Sequence, residues 1–163
     1  RVFKENSEIK LDDILKSILE DQLKNDIDEF FRSLNIQEID SIKKGDFMVV
    51  HSMKLRNGPF QAIKAGTKTI EMRLYDDKRR KIQVGDIIEF THMDTEEKIS
   101  ACVIALHVYP SFKDLYNKFD KVSLGYAPNE TATYKDMEQY YSQEEQSKYG
   151  VLGIKVKKCN FIS

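Results

Sequence analysis

Ala65-Gly66-Thr67-Lys68-Thr69-Ile70-Glu71-Met72-Arg73-Leu74-Tyr75 is the stretch that decides how this chain folds. Alternation from Thr69 to Tyr75 predicts a strand, because successive side chains of extended backbone point to opposite faces. Ile70, Met72 and Leu74 form one face and point into a core. Thr69, Glu71, Arg73 and Tyr75 form the other, which combines a carboxylate, a guanidinium and two hydroxyls. Upstream, Phe60 to Ala65 reads as a short helix, stopped at Gly66 because glycine accepts a positive φ. Lys68 therefore stands at the entrance to the strand, close in sequence to Glu71. Lys68 and Arg73 suit a phosphate or carboxylate, with Glu71 orienting them or accepting a hydrogen bond from a base edge. The plain alternative is a solvated strand face carrying a Glu–Arg pair worth about 0–1 kcal/mol.

The rest of the chain extends this pattern. Phe47 to Leu55 is a strand candidate, and Asn57-Gly58-Pro59 reads as a turn. Asp76 to Gln83 is a charged connector, and Val84-Gly85-Asp86 turns into the strand Ile87 to Phe90. Ile99 to Tyr109 is a second strong strand, ended by Pro110. Ser111 to Phe119 suits a helix with a serine cap. Val122 to Thr131 reads as loop, Tyr134 to Tyr149 as helix and Val151 to Lys157 as a closing strand. Short strands separated by small helices indicate an α+β fold, a compact mixed barrel rather than a βαβ sheet.

Before this region, Leu11, Ile14, Leu15, Ile18, Leu19 and Leu23 recur at three- and four-residue spacing, and Ile27, Phe30, Phe31 and Leu34 continue the pattern. Residues 1–45 thus read as a helical extension to a domain at 46–163. The extension either packs on its own domain or makes a homodimer through residues 11–34. Its largely acidic polar face disfavours an anionic bilayer. No apolar run is long enough for a transmembrane helix, and Arg1 to Lys10 lacks the pattern of a signal peptide. A soluble, cytoplasmic protein with no membrane partner is the expectation.

Composition bounds function less than distribution does. The 163 residues carry 26 Lys and Arg against 27 Asp and Glu, which excludes an overall basic nucleic-acid binder. Residues 51–85, however, hold nine basic side chains and three acidic ones, an excess of six. Acidic side chains outnumber basic ones on both sides of that block. A local patch of this kind draws one nucleotide or a short RNA segment rather than a long duplex. Lys78-Arg79-Arg80-Lys81, taken alone, is also what a solvated turn looks like.

Several segments together resemble the ASCH domain family of the PUA-like superfamily: His51-Ser52-Met53-Lys54-Leu55, Gly58-Pro59-Phe60, Ile63 to Leu74 and Ile82 to Phe90. The family's G-x-K-x-x-E-x-R pattern falls on Gly66, Lys68, Glu71 and Arg73 without a gap, and the resemblance covers roughly residues 47–157. It implies a small PUA-like mixed β-barrel with peripheral helices and a cleft beside the motif. It also implies RNA or a nucleotide-like small molecule as partner. On this basis the ligand-binding candidates are Lys68, Glu71, Arg73 and Tyr75, with Lys54, Lys64, Arg79 and Arg80 positioning phosphate. The family is similar, too, to small amidohydrolases that deacetylate N4-acetylcytidine. Their lysine matches Lys68, but their threonine three residues on is replaced by Glu71. A catalytic set of Lys68, Thr69 and Glu71 therefore lacks its hydroxyl at the matched position.

Other chemistry is sparse. His51, His92 and His107 show no metal-ligand spacing, and no nucleotide-cofactor fingerprint occurs, so neither metal nor cofactor is expected. Cys102 and Cys159 read as incidental thiols. Tyr134, Tyr140, Tyr141 and Tyr149 would stack bases if exposed beside the cleft. Phe60, Phe90 and Phe112 read as core.

Overall fold

The computed structural model describes residues 49–160, together with Ile14 and Leu15. Ile14 and Leu15 are helical and exposed. The rest of the expected helical extension, its homodimer and the boundary at residue 45 lie outside the described residues.

Strand β1 spans Val50–Leu55, beginning after Phe47, and the start of that expected strand also lies outside. Asn57, Gly58 and Pro59 do not form a free turn. They open helix α1, Asn57–Ala65. Proline is tolerated there because the first N–H groups of a helix have no partner within it. Phe60 and Ile63, three residues apart, are its buried positions. Gly66 ends it at φ 86°, and the backbone N–H groups of Thr67 and Lys68 both reach the Ala62 carbonyl. The chain then enters β2, Ile70–Leu74, with the N–H groups of Thr69 and Ile70 held by the Ser123 carbonyl.

A 3-10 turn at Arg79–Lys81 interrupts the charged connector. β3 is Ile87–His92 and β4 is Lys98–Tyr109, with an irregularity between Val103 and Ala105. Helix α2, Phe112–Tyr116, carries the expected cap, the Ser111 side chain accepting from the Asp114 N–H. The single helix expected over Tyr134–Tyr149 is instead two elements. A 3-10 helix covers Tyr134–Gln139, and α3 covers Gln143–Tyr149. The cause is a capping box: Ser142 Oγ accepts from the Glu145 N–H and Glu145 Oε1 from the Ser142 N–H, both at 3.0 Å. β5, Val151–Cys159, closes the fold.

The five strands make one mixed sheet in the order β1-β3-β4-β5-β2, curled into a half-barrel with peripheral helices. β1 and β3 are parallel and the other pairs antiparallel. β1 and β2 are the two edges. Met53, Phe60, Ile63, Phe90 and Ile154 belong to one apolar cluster, and Ile70, Met72, Leu74, Phe112, Leu115 and Val151 to another. Phe60, Phe90 and Phe112 are core, as expected. The apolar face of β2 joins the second cluster, and Tyr75, just past the end of the strand, packs against the first. With Glu71 buried as well, the polar face of β2 is internal, not solvated. No helix among the described residues is long and apolar enough to cross a membrane.

Candidate functional site

Glu71 is 4% exposed and Lys68 6%. Isolated charges at such depth would cost several kcal/mol each, so partners must be present. Lys68 Nζ lies 3.2 Å from Glu71 Oε1. Arg73 Nε and Nη2 each lie 2.8 Å from Glu71 Oε2. Both carboxylate oxygens are thus engaged by a cation. Burial pushes the Glu71 pKa up, but Lys68 and Arg73, through charge and hydrogen bonds, outweigh it and hold the carboxyl below its ordinary range. For Arg73, burial acts downward and Glu71 and Tyr141 act upward, and the net shift is upward.

Arg73 also closes the sheet. Its Nη2 donates to the Lys54 carbonyl at 3.0 Å, from edge strand β2 to edge strand β1. The ion cluster therefore sits at the seam where the two edges approach. Lys68 owes its place to the end of α1, and a neighbouring loop covers its stem. A Cβ on Gly125, at φ 107°, would lie 2.9 Å from Lys68 Cδ.

A cavity of about 480 Å³ opens on this cluster, lined by Lys68, Glu71 and Arg73 and, at its rim, by Lys54, Arg56 and Tyr140. Four cations face one carboxylate there. A second cavity of about 760 Å³ shares Pro59, Lys68, Met72, Met137, Gln139 and Tyr140 with the first. Tyr141 is held on two sides: it stacks on Phe112 at 5.6 Å, and its backbone carbonyl accepts from the buried Gln146 amide at 3.3 Å. Tyr140 is 48% exposed, with the Arg56 guanidinium 5.6 Å from its ring centre.

The expected site residues separate into two sets. Lys54, Lys68, Glu71 and Arg73 come together at the first cavity. Tyr75, Lys64, Arg79, Arg80 and Thr69 line neither cavity. Lys64 pairs with Glu97 at 2.5 Å, and Arg79 with Asp76 at 2.9 Å. Arg80 stands 4.2 Å above the Tyr75 ring and donates to the Tyr149 carbonyl. Of the four tyrosines, Tyr140 and Tyr141 reach the first cavity, whereas Tyr134 and Tyr149 pack on the second apolar cluster. Arg56, Pro59, Met93, Met137 and Gln139 also line the first cavity. For Arg56 the local positive excess was the available signal. For Met137 and Gln139, more than 60 residues along the chain from Lys68, there was none.

The histidines serve local structure. His51 Nε2 meets Asp86 Oδ2 at 2.8 Å, and the Asp86 carboxylate also accepts from the N–H groups of Val49 and Gln83. His92 Nδ1 accepts from the N–H groups of Asp94 and Thr95, shaping the β3–β4 turn. His107 packs edge-on against Phe119. Among the described residues no three His, Cys, Asp or Glu side chains are grouped to hold a metal. Cys102 and Cys159 are free thiols on neighbouring strands, and burial, with a hydrogen bond from the Cys159 thiol to Cys102, pushes Cys159 up to about 12.

Comparison with known proteins agrees with this architecture. No curated protein matches the chain. The crystal structure of hypothetical protein PH0355 is 34% identical, covering 68% of this chain and 100% of that one, with a TM-score of 0.60. The solution structure of protein PF0455 from Pyrococcus furiosus is 30% identical, covering 69% and 100%, with a TM-score of 0.52. The family model described as the ASCH domain matches residues 53–160, a span holding the whole ion cluster and the walls of both cavities. On these grounds the chain belongs to the ASCH domain family, within the PUA-like superfamily.

Proposed function

We propose that this domain binds single-stranded RNA, or a nucleotide-like ligand, in the cavity above Lys68, Glu71 and Arg73. One observation carries the reading. A buried, fully paired ion cluster presents its cations to a cavity whose rim adds two exposed cations and one exposed tyrosine. Glu71 fixes Lys68 and Arg73 in place, so little order is lost when an anion arrives. Lys54 and Arg56 extend the positive field to the mouth, where low-dielectric walls concentrate it. Tyr140 offers a ring face on which a base stacks, and such stacking tolerates any sequence.

A labelled eight-nucleotide RNA, followed by fluorescence anisotropy across a salt series, tests this. Binding should weaken steeply with salt, the logarithmic slope being about −0.7 for each phosphate neutralised. The Lys54→Gln/Arg56→Gln double variant touches only exposed side chains and should lose roughly two phosphates' worth of that slope. An unchanged slope would remove the cavity from the reading.

Amidohydrolysis has less behind it. Thr69 lines neither cavity, and a carboxylate already held by two cations is a weak base. Cytidine release from N4-acetylcytidine by the purified protein would reinstate it.

A further inference from the structure

Beyond the ion cluster, the second cavity has a different chemistry. Its walls include Val122, Leu124, Ala127 and Pro128, apolar side chains of a single loop. At one side runs a hydrogen-bonded chain. Tyr116 and Tyr126 hydroxyls are 2.9 Å apart, and Tyr126 donates to Asp136 Oδ2 at 2.7 Å. With its proton given to Asp136, Tyr126 accepts from Tyr116, so the donors and acceptors are consistent along the chain. Among the described residues nothing engages Asp136 Oδ1, and Asp136 lines the cavity. The carboxylates lining this space are Asp136 and Glu130, and its one cation is Lys68.

The two cavities therefore meet at Lys68 with opposite electrostatic character. Four cations and one carboxylate line the first, and one cation and two carboxylates the second. A phosphate is favoured in the first and disfavoured in the second. Apolar loop walls beside the Asp136 carboxylate describe a site for a heterocycle with an amino group on its edge. The loop that walls the second space lies directly on the stem of Lys68, which lines both.

We infer that the second cavity is a base subsite, in which Asp136 accepts an exocyclic amino N–H of cytosine or adenine while the adjoining phosphate lies at Lys68 and Arg73. Carboxylates accept from amino groups of this kind; uracil has no amino group, only its ring N3–H, and so serves as the reference base. The inference rests on the RNA reading above and deepens it from phosphate contact to base choice.

Asp136→Asn tests it. The Asn oxygen can keep the Tyr126 hydrogen bond, which turns the amide NH2, a donor, toward the place of the free acceptor. Eight-nucleotide RNAs of cytidine, adenosine or uridine alone would be titrated against the wild-type domain, Asp136→Asn and Arg73→Lys. Binding of the cytidine and adenosine oligomers should fall about tenfold in Asp136→Asn, with uridine binding unchanged. Arg73→Lys should weaken all three alike. Unchanged uridine binding also shows that the Asn variant is folded. Equal effects of Asp136→Asn on all three oligomers, or none, overturn the base subsite and leave the phosphate site standing. Failure of all three oligomers to bind the wild-type protein overturns both readings.

Discussion

Lys68–Glu71–Arg73 and Lys78–Lys81 lie within fifteen residues of each other and contribute to the same positive excess, yet the fold treats them oppositely. In the first, two cations converge on one carboxylate with Glu71 and Lys68 almost wholly removed from water. In the second, Lys78, Arg80 and Lys81 are exposed. Arg79 pairs locally with Asp76, and Arg80 lies over Tyr75. The first cluster sits where the sheet's edge strands approach, and the second decorates a turn. Charge density along the chain therefore does not locate the site. What distinguishes the cluster is that its cations are held by a buried counter-charge and still border a cavity.

The largest expected effect follows from burial. Glu71→Ala leaves Lys68 and Arg73 facing each other without compensation, and should cost about 3–5 kcal/mol by urea denaturation. A cost below about 1 kcal/mol would make the cluster equivalent to a surface pair.

Next comes acid sensitivity. The folded pKa of Glu71 lies below its ordinary value of 4.5. Its contribution is therefore complete above that value and is lost as pH falls through the folded pKa. Urea midpoints measured from neutral pH downward should drop in this acid range more steeply for the wild type than for Glu71→Gln. Parallel curves would show that the carboxylate is not specially stabilised.

Arg80→Ala should cost only about 0.5–1 kcal/mol, the scale of an exposed cation–π contact, and should leave RNA affinity nearly intact. Smallest of all, Lys78→Ala should stay within about 0.5 kcal/mol and leave the salt slope unaltered. If Lys78→Ala or Arg80→Ala flattened the salt slope as Lys54→Gln/Arg56→Gln should, the contrast between the two regions would fail.

Much of the fold was legible because its signals are local. Gly66 stops a helix through its own φ, Ser111 caps one through its own hydroxyl, and β2 announces its two faces by alternation. The misreadings also have local causes. Pro59 reads as a turn residue but suits the first turn of α1, and the Ser142–Glu145 capping box splits what periodicity alone presents as one helix.

The chain's own order of residues determined that Lys68, Glu71 and Arg73 would stand together, because a helix stop and a strand period set their spacing within six residues. Only tertiary structure decided that this polar face is internal, that Arg73 reaches across to Lys54, and that Tyr140, Met137 and Asp136 wall the adjoining space. Backbone preference acts over a few residues and can be read along the chain. Curling a five-stranded sheet so that its edges approach brings distant segments together, and no local preference encodes that distance.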